Sequence, residues 1–470
     1  MDLKKIYAWL IEPISNTPII VFRILFALSL LIQTYCFISQ GFIEENIVKP
    51  FALFPFINNI QAVSKIYIFN FLINPLLILG YVMLASNIGM LFNKVSRIST
   101  FIFFICFTYF WLLDKGYFNN HYYFISIISF LLFLIDQKSS FKQSIHVPRI
   151  TLVCLQAVIF MIYFIAGLNK LTPFWLVDMQ PITHILETKY DTTGNTFFIN
   201  PALIFFMTYG GVIYDLLIGF LLFCKRTKLL SFILVILFNT FNHYLFQDIG
   251  EIGAFPLIMI ATLALFIDPN RLDRILKKDE KPRIILAQKL SLNIFIISFI
   301  IIQFILPFRH LLFHGYVDYN GMGQRFSWRM KTMYKEAYTD GQIEFDVYIK
   351  RLKKGNRKIA HFTLFNIEQF SKAYELPLMY LTKKQKTALF YYPDMLPAFT
   401  KEVEKVLKKN LSKKINGDFD IIITARCKIG FMGRTPQDII DSSIDLTAIS
   451  SSNTNRWLHE LKTHDGDLSN

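Results

Sequence analysis

Cysteine, charge, internal repetition and strand-like alternation are all scarce in this chain, and each shortage excludes something. Five cysteines occur in 470 residues, and Cys36, Cys106, Cys154 and Cys224 lie in or beside long apolar runs. Only Cys427 falls in the C-terminal third, so no disulfide can close within that region, and no Cys/His spacing suited to a metal ion appears. Charged residues make up 18% of the chain, against the roughly 25% usual for soluble globular proteins. No internal repeat is evident, which argues against a small-solute transporter built from two related halves with broken helices. The apolar runs do not alternate with polar residues. They are therefore expected to cross a bilayer as helices, since unpaired backbone in lipid costs several kcal/mol per group. The first run, starting near Pro18, is not followed by a small-residue cleavage pattern and is expected to stay in place as a signal anchor.

What the chain does have is hydrophobicity, unevenly distributed. Apolar residues make up 53% of it, 49 are Phe, and the mean hydropathy is +0.41. Residues 1–315 hold the long apolar runs, and 316–470 read as an ordinary globular domain. Runs long enough to span a bilayer, which takes roughly 17–25 residues, fall near 18–38, 67–91, 98–113, 120–136, 150–168, 202–224, 229–246, 253–268 and 290–312. The expected fold is thus a polytopic α-helical membrane bundle of about nine spans followed by an extracytoplasmic α+β domain. With a cytoplasmic N-terminus the inside segments carry seventeen Lys and Arg and the outside loops five, namely Lys49, Lys65, Lys115, Lys170 and Lys189. That bias places 316–470 outside the cytoplasm, in the periplasm, cell exterior or a lumen. Positive-inside loops explain much of the net charge of +15, so no nucleic-acid partner is implied.

Between these runs, 41–66 is expected to be an outside loop at the membrane surface, and 169–200 a second outside loop. The basic stretch 269–289 reads as a solvated cytoplasmic helix near anionic headgroups. In the outer domain, 342–350 and 418–430 alternate as half-buried strands do, and 357–365 is placed to pair with the first. Residues 394–409 fit an amphipathic helix, and 433–446 read as turns followed by a short strand.

Four polar clusters fall at the outer edge of the bundle. They are Asn119-Asn120-His121, Asn169-Lys170, Asn239 with Asn242-His243 and Gln247, and Arg309-His310. Ionisable groups at membrane depth are costly and frequently functional. Each also has a structural alternative. Lys170 can snorkel, Asn119, Asn120 and His121 can cap a helix, Asn242 and His243 can hydrogen-bond between helices, and Arg309 can be a surface charge. Asp215 and Arg23 form a candidate buried ion pair.

The stretches LDKGYFNNHYYF (113–124), YFIAGLNKL (163–171), FNTFNHYLF (238–246) with GAFP (253–256), and LPFRHLLFHGYVDYNGMGQRFSWRM (306–330) resemble, in order and spacing, the vitamin K-dependent γ-glutamyl carboxylases and their bacterial relatives. A weaker likeness continues to about residue 448. Two positions depart from the pattern. Asn239 stands where those enzymes have a histidine, and Asn169-Lys170 stands where they have two lysines. The animal enzymes carry a further C-terminal region, so weaker tethering of substrate peptides is expected here.

The resemblance implies a reaction. A reduced vitamin K or menaquinone-like naphthoquinol is epoxidised by dioxygen, a strong base forms, a glutamate γ-proton is removed and carbon dioxide adds to the carbanion. No metal is implied. The partners are the lipid bilayer and a glutamate-containing extracytoplasmic protein or peptide. By the same resemblance Lys170 matches the catalytic lysine, which acts as a base only when neutral, a state that burial favours. His121 is expected to share catalysis. Asn119, Asn120, Asn169, Asn239, Asn242, His243 and Arg309 are the candidate substrate- and cofactor-binding residues. The competing expectation is a non-catalytic membrane protein of the same fold, serving export, immunity or quinone binding.

Overall fold

The computed structural model describes residues 3–462 except 58–59, 61–65, 69–70, 136–137, 139–142, 247–252, 287, 339–342, 352–354, 416 and 450–455. Gln247 lies outside the described residues. Among those described, five helices are long and apolar enough to cross a membrane: Thr17–Ser39, Ile150–Asn169, Pro201–Phe223, Lys228–Phe246 and Leu290–Leu312. A sixth candidate is the pair Phe255–Phe266 and Pro269–Ile275, bent by 99°. By length and composition the described helices do not confirm the expected count of nine. Pro75–Gly89, Ser96–Leu112 and Asn120–Leu134 are apolar but shorter. Fifteen residues of helix rise only about 22 Å, less than the ~30 Å hydrocarbon core. The run predicted from 67 starts late because Ile66–Ile68 and Phe71–Ile73 form a hairpin. The helix then begins at Pro75, where the Asn74 side chain accepts the Leu76 N–H at 3.1 Å.

Glycine sets the closest helix pairing. A Cβ on Gly167 would lie 2.9 Å from Leu216, including its backbone nitrogen, and one on Gly219 would lie 2.6 Å from Phe160. Small residues at both points let the Ile150 and Pro201 helices approach closely. At one end of the bundle Pro13–Ser15, Gln143–Pro148 and Asp279–Ile285 form a three-stranded sheet with Gln143–Pro148 in the middle. This overturns the helix expected over 269–289. Helix stops at Ile275, and the following residues take a strand partner more than a hundred positions away, which local pattern cannot reveal. Asp273 locks the junction by accepting from Thr17 at 2.5 Å and Ser144 at 2.6 Å.

The C-terminal part covers the other end. Glu344–Arg351 is the centre of an antiparallel sheet flanked by Gly355–Thr363 and Asp420–Arg426. The helix Leu396–Leu411 lays Phe399, Val403 and Leu407 on it, the spacing of one helical face. The stretch expected as one strand, 418–430, breaks at Cys427. Its second half, Lys428–Phe431, pairs in a different sheet with Lys335–Ala337 and Gln437–Asp438. The loop after the first long helix is held, over part of its described length, by the C-terminal part. Its Phe51 N–H donates to Tyr380 O at 2.9 Å, and Phe51 and Phe54 pack edge-on against Phe399.

Candidate functional site

Residues 306–334 join the bundle to the C-terminal part as a strap of unusual backbone. Gly321 and Gly323 have φ of 74° and 75°, and Phe326, Trp328 and Lys331 also have positive φ, at 65°, 56° and 54°. A Cβ on Gly323 would fall 2.6 Å from the His310 Cα, so only glycine fits there. The side chains between these points are anchors. Trp328 is fully buried and stacks on Tyr123 with centroids 5.3 Å apart, and Phe326 packs on Phe118 and Tyr123, each at 4.8 Å. Positive φ in bulky residues is costly and persists where surrounding packing imposes it.

This backbone turns alternate carbonyls toward the bundle, where each meets a residue singled out from sequence. Arg309 Nη2 donates to Arg325 O at 2.6 Å, Asn169 Nδ2 to Ser327 O at 2.8 Å, and Asn120 Nδ2 to Arg329 O at 3.2 Å. Three positions from three separate segments are thus clasped by five consecutive residues. Asn119 caps the Asn120–Leu134 helix by accepting the His121 N–H at 2.8 Å. The His121 ring stacks on Phe255 with centroids 3.8 Å apart, and its Nδ1 is buried without a hydrogen-bond partner, as is Asn120 Oδ1.

A cavity of about 320 Å³ opens beside this clasp, lined by residues 118–121, by the strap from Gln324 to Met333, and by the helix Lys383–Tyr391. Arg325, Arg329, Lys331 and Lys384 all lie on its wall. Among the described residues, none that lines it is acidic. Carboxylates behind the wall hold the two arginines. Arg325 pairs with Asp394 and Arg329 with Asp318, each at 2.8 Å. Burial pushes the Asp318 carboxyl up, against the pull of Arg329 and the Thr332 hydroxyl. Lys384 lies over the rings of Tyr117 and Tyr122, and Lys331 over Phe246. The floor is tied down by Asp114, which accepts from Gln385 Nε2 and from the Gly116 N–H, both at 2.6 Å. Burial raises the Asp114 carboxyl to about 6, although those two bonds pull it the other way.

Lys170 is not among the cavity-lining residues. It caps the C-terminal end of the Ile150–Asn169 helix, is buried, and its Nζ lies 2.5 Å from Asp215 Oδ2 and 4.9 Å from the Trp175 ring. The expected Arg23–Asp215 pair does not form. Arg23 instead donates to Ser96 Oγ at 3.0 Å and Asn93 Oδ1 at 2.9 Å. Asn239 donates to Val235 O of its own helix at 2.8 Å and faces the Tyr163 phenol of the Ile150 helix. Asn242 is half-buried and His243 exposed, and neither lines the cavity. Sequence reasoning missed Arg325, Arg329, Lys331 and Lys384. The first three sit in or next to the 306–330 stretch that carried the resemblance, and its density of basic residues was the available signal.

Fold and site together define a multi-pass membrane protein in which the strap and the helix Lys383–Tyr391 wall a polar, cation-lined chamber at one end of the helix bundle. Residues 11–270 match the HTTM domain family, and residues 288–464 match the vitamin K-dependent gamma-carboxylase, lumenal domain. The chain belongs to the vitamin K-dependent γ-carboxylase family. No solved structure matches it.

Proposed function

We propose that this protein is an integral membrane γ-glutamyl carboxylase, or a close quinol-epoxidising relative, acting on a glutamate-containing protein on the non-cytoplasmic side. The proposed division of labour is a membrane part over 1–315 and an outer part over 316–470. The observation that carries the reading is the clasp. One strap gathers Asn120, Asn169 and Arg309, and a chamber walled by four cations lies against it. A carboxylate side chain entering from the aqueous side meets the charge complement it needs.

The residues present also fit a naphthoquinol. His121 Nδ1 and Asn120 Oδ1 are buried without a hydrogen-bond partner, and with the imidazole protonated at Nε2 both accept from hydroxyls such as those a hydroquinone carries on its flat apolar ring. Phe255, stacked on His121, offers such a ring an apolar neighbour. When bound, that group supplies on reaction with dioxygen a base stronger than any side chain. The chain's own tasks are to orient it through His121 and Asn120, to accept a proton at Lys170 Nζ, and to keep water out with Trp328, Phe326 and Tyr123. Asn169, bonded to Ser327 O, ties the Lys170 end of its helix to the same strap.

A second reading, a non-catalytic quinone-binding, export or immunity protein of this fold, is favoured by one observation. The Lys170 amine is engaged by Asp215 and does not face the chamber. Purified protein given reduced naphthoquinone, labelled bicarbonate and a glutamate-rich peptide separates the two. The expected result is both epoxide and incorporated label. Epoxide without label indicates the relative, and neither product at any enzyme concentration favours the second reading.

A further inference from the structure

We propose that Asp215 is the positioning residue of this site, fixing the Lys170 amine and balancing the charge that arises there on proton uptake. This rests on the preceding reading in so far as Lys170 is the base.

The geometry is specific. Gly167 and Gly219 bring the two helices into contact, so that Lys170, ending one, meets Asp215 in the body of the other. Both side chains are buried, with Asp215 5% and Lys170 10% exposed. The same Pro201 helix holds the amine a second way. The Thr208 carbonyl accepts the Trp175 indole N–H at 3.0 Å, and the Trp175 ring lies against Lys170 Nζ. The other titratable groups facing Asp215 are the phenols of Tyr163 on the Lys170 helix and Tyr214 beside it in sequence. When Nζ takes a proton from a hydroxyl, the oxygen keeps the electron pair and the amine becomes an ammonium. In a buried site that charge needs a fixed counter-charge already in place, which is the role a carboxylate plays behind a general base.

The test is a cycle of wild type, Lys170→Ala, Asp215→Asn and the double variant, read by melting temperature and by epoxidation kinetics. Each single variant is expected to lower the melting temperature, and the double variant to recover part of the loss, because neither buried polar group is then left without its partner. Asp215→Asn is expected to lower kcat about 100-fold, with KM for the quinol changed less than about twofold. The double variant should be no slower than Lys170→Ala. If melting couples the pair while Asp215→Asn keeps the wild-type kcat, the pair is structural and the proposal is overturned. Should Asp215→Asn fail to fold, Asp215→Glu takes its place. Its longer side chain displaces the amine, so kcat must fall with KM unchanged, and an unchanged kcat overturns the proposal. Wild-type epoxidation by Lys170→Ala would instead remove Lys170 as the base, an outcome distinguishable because the melting cycle still reports the pair.

Discussion

At the scale of single residues, Lys170 and Lys335 show how burial gives two lysines different consequences. Lys170→Ala is expected to abolish epoxidation, and Lys170→Arg to fail equally, because a guanidinium stays charged and cannot accept a proton. A lysine that merely snorkels would tolerate arginine. Epoxide formed per enzyme at equal, monodisperse protein decides between these, and wild-type rates in either variant would put the non-catalytic reading ahead. Lys335 sits under the chamber, its Nζ donating to Tyr391 O at 2.7 Å. Burial pushes its amine down to about 7, from the ordinary lysine value of about 10.4. Between those values the unfolded chain binds more protons than the fold, so this group's contribution to stability rises with pH across that window. Below it the penalty is fully present. Lys335→Met should therefore raise the melting temperature more near pH 6 than at about pH 9.5. An equal gain at both would show that the amine does not titrate in that range.

At the scale of elements, the strap is the part that sequence reading found without understanding. Its residues carried the family resemblance and Arg309 was singled out. The alternating carbonyls that meet Asn120, Asn169 and Arg309 depend on positive φ at Phe326 and Trp328, bulky residues for which no local rule anticipates that conformation. Gly323 is the point where this backbone leaves no room. Gly323→Ala should destabilise by more than the roughly 1–3 kcal/mol of a strained backbone residue, since the neighbouring His310 backbone must also move. Melting temperature measures this, with Gly315→Ala as control: it shares the positive φ but meets side-chain atoms and no backbone, the Asn320 nitrogen at 3.0 Å and Glu460 Cγ at 4.0 Å. Equal losses in both would mean that contact with His310 adds nothing. The regular elements were more legible, because their signals are local. The Leu396–Leu411 helix lies within two residues of its expected bounds, and the Glu344–Arg351 and Gly355–Thr363 strands pair as expected. The break at Cys427 and the strand at Asp279–Ile285 were not legible, since each is decided by a distant partner. The helix Lys383–Tyr391 has a sign of its start that is readable in the sequence. Thr382 and Gln385 form a capping box.

At the scale of the whole molecule, the two ends of the bundle are distinguished by what gathers there. Pro13–Ser15, Gln143–Pro148 and Asp279–Ile285 meet in one sheet at one end. Phe51, Asp114, Asn169 and Arg309 meet the strap and the C-terminal part at the other. The chain therefore leaves the sheet end for the last time through Leu290–Leu312 and emerges where the C-terminal sheets begin. The two ends stay opposed whether or not the three shorter apolar helices cross the full bilayer, because contacts at each end, and not helix lengths, distinguish them. The sides we propose follow the Lys/Arg bias, with the sheet end cytoplasmic and the chamber facing outward. Protease added to intact cells, spheroplasts or right-side-out vesicles is expected to cut within 316–470 and to spare a tag placed before Leu3. Inverted vesicles should reverse the pattern. A C-terminal part protected in right-side-out vesicles, with the N-terminal tag cleaved, would invert the assignment and place the chamber in the cytoplasm. Cleavage of both tag and tail from the same side would contradict the opposed ends themselves.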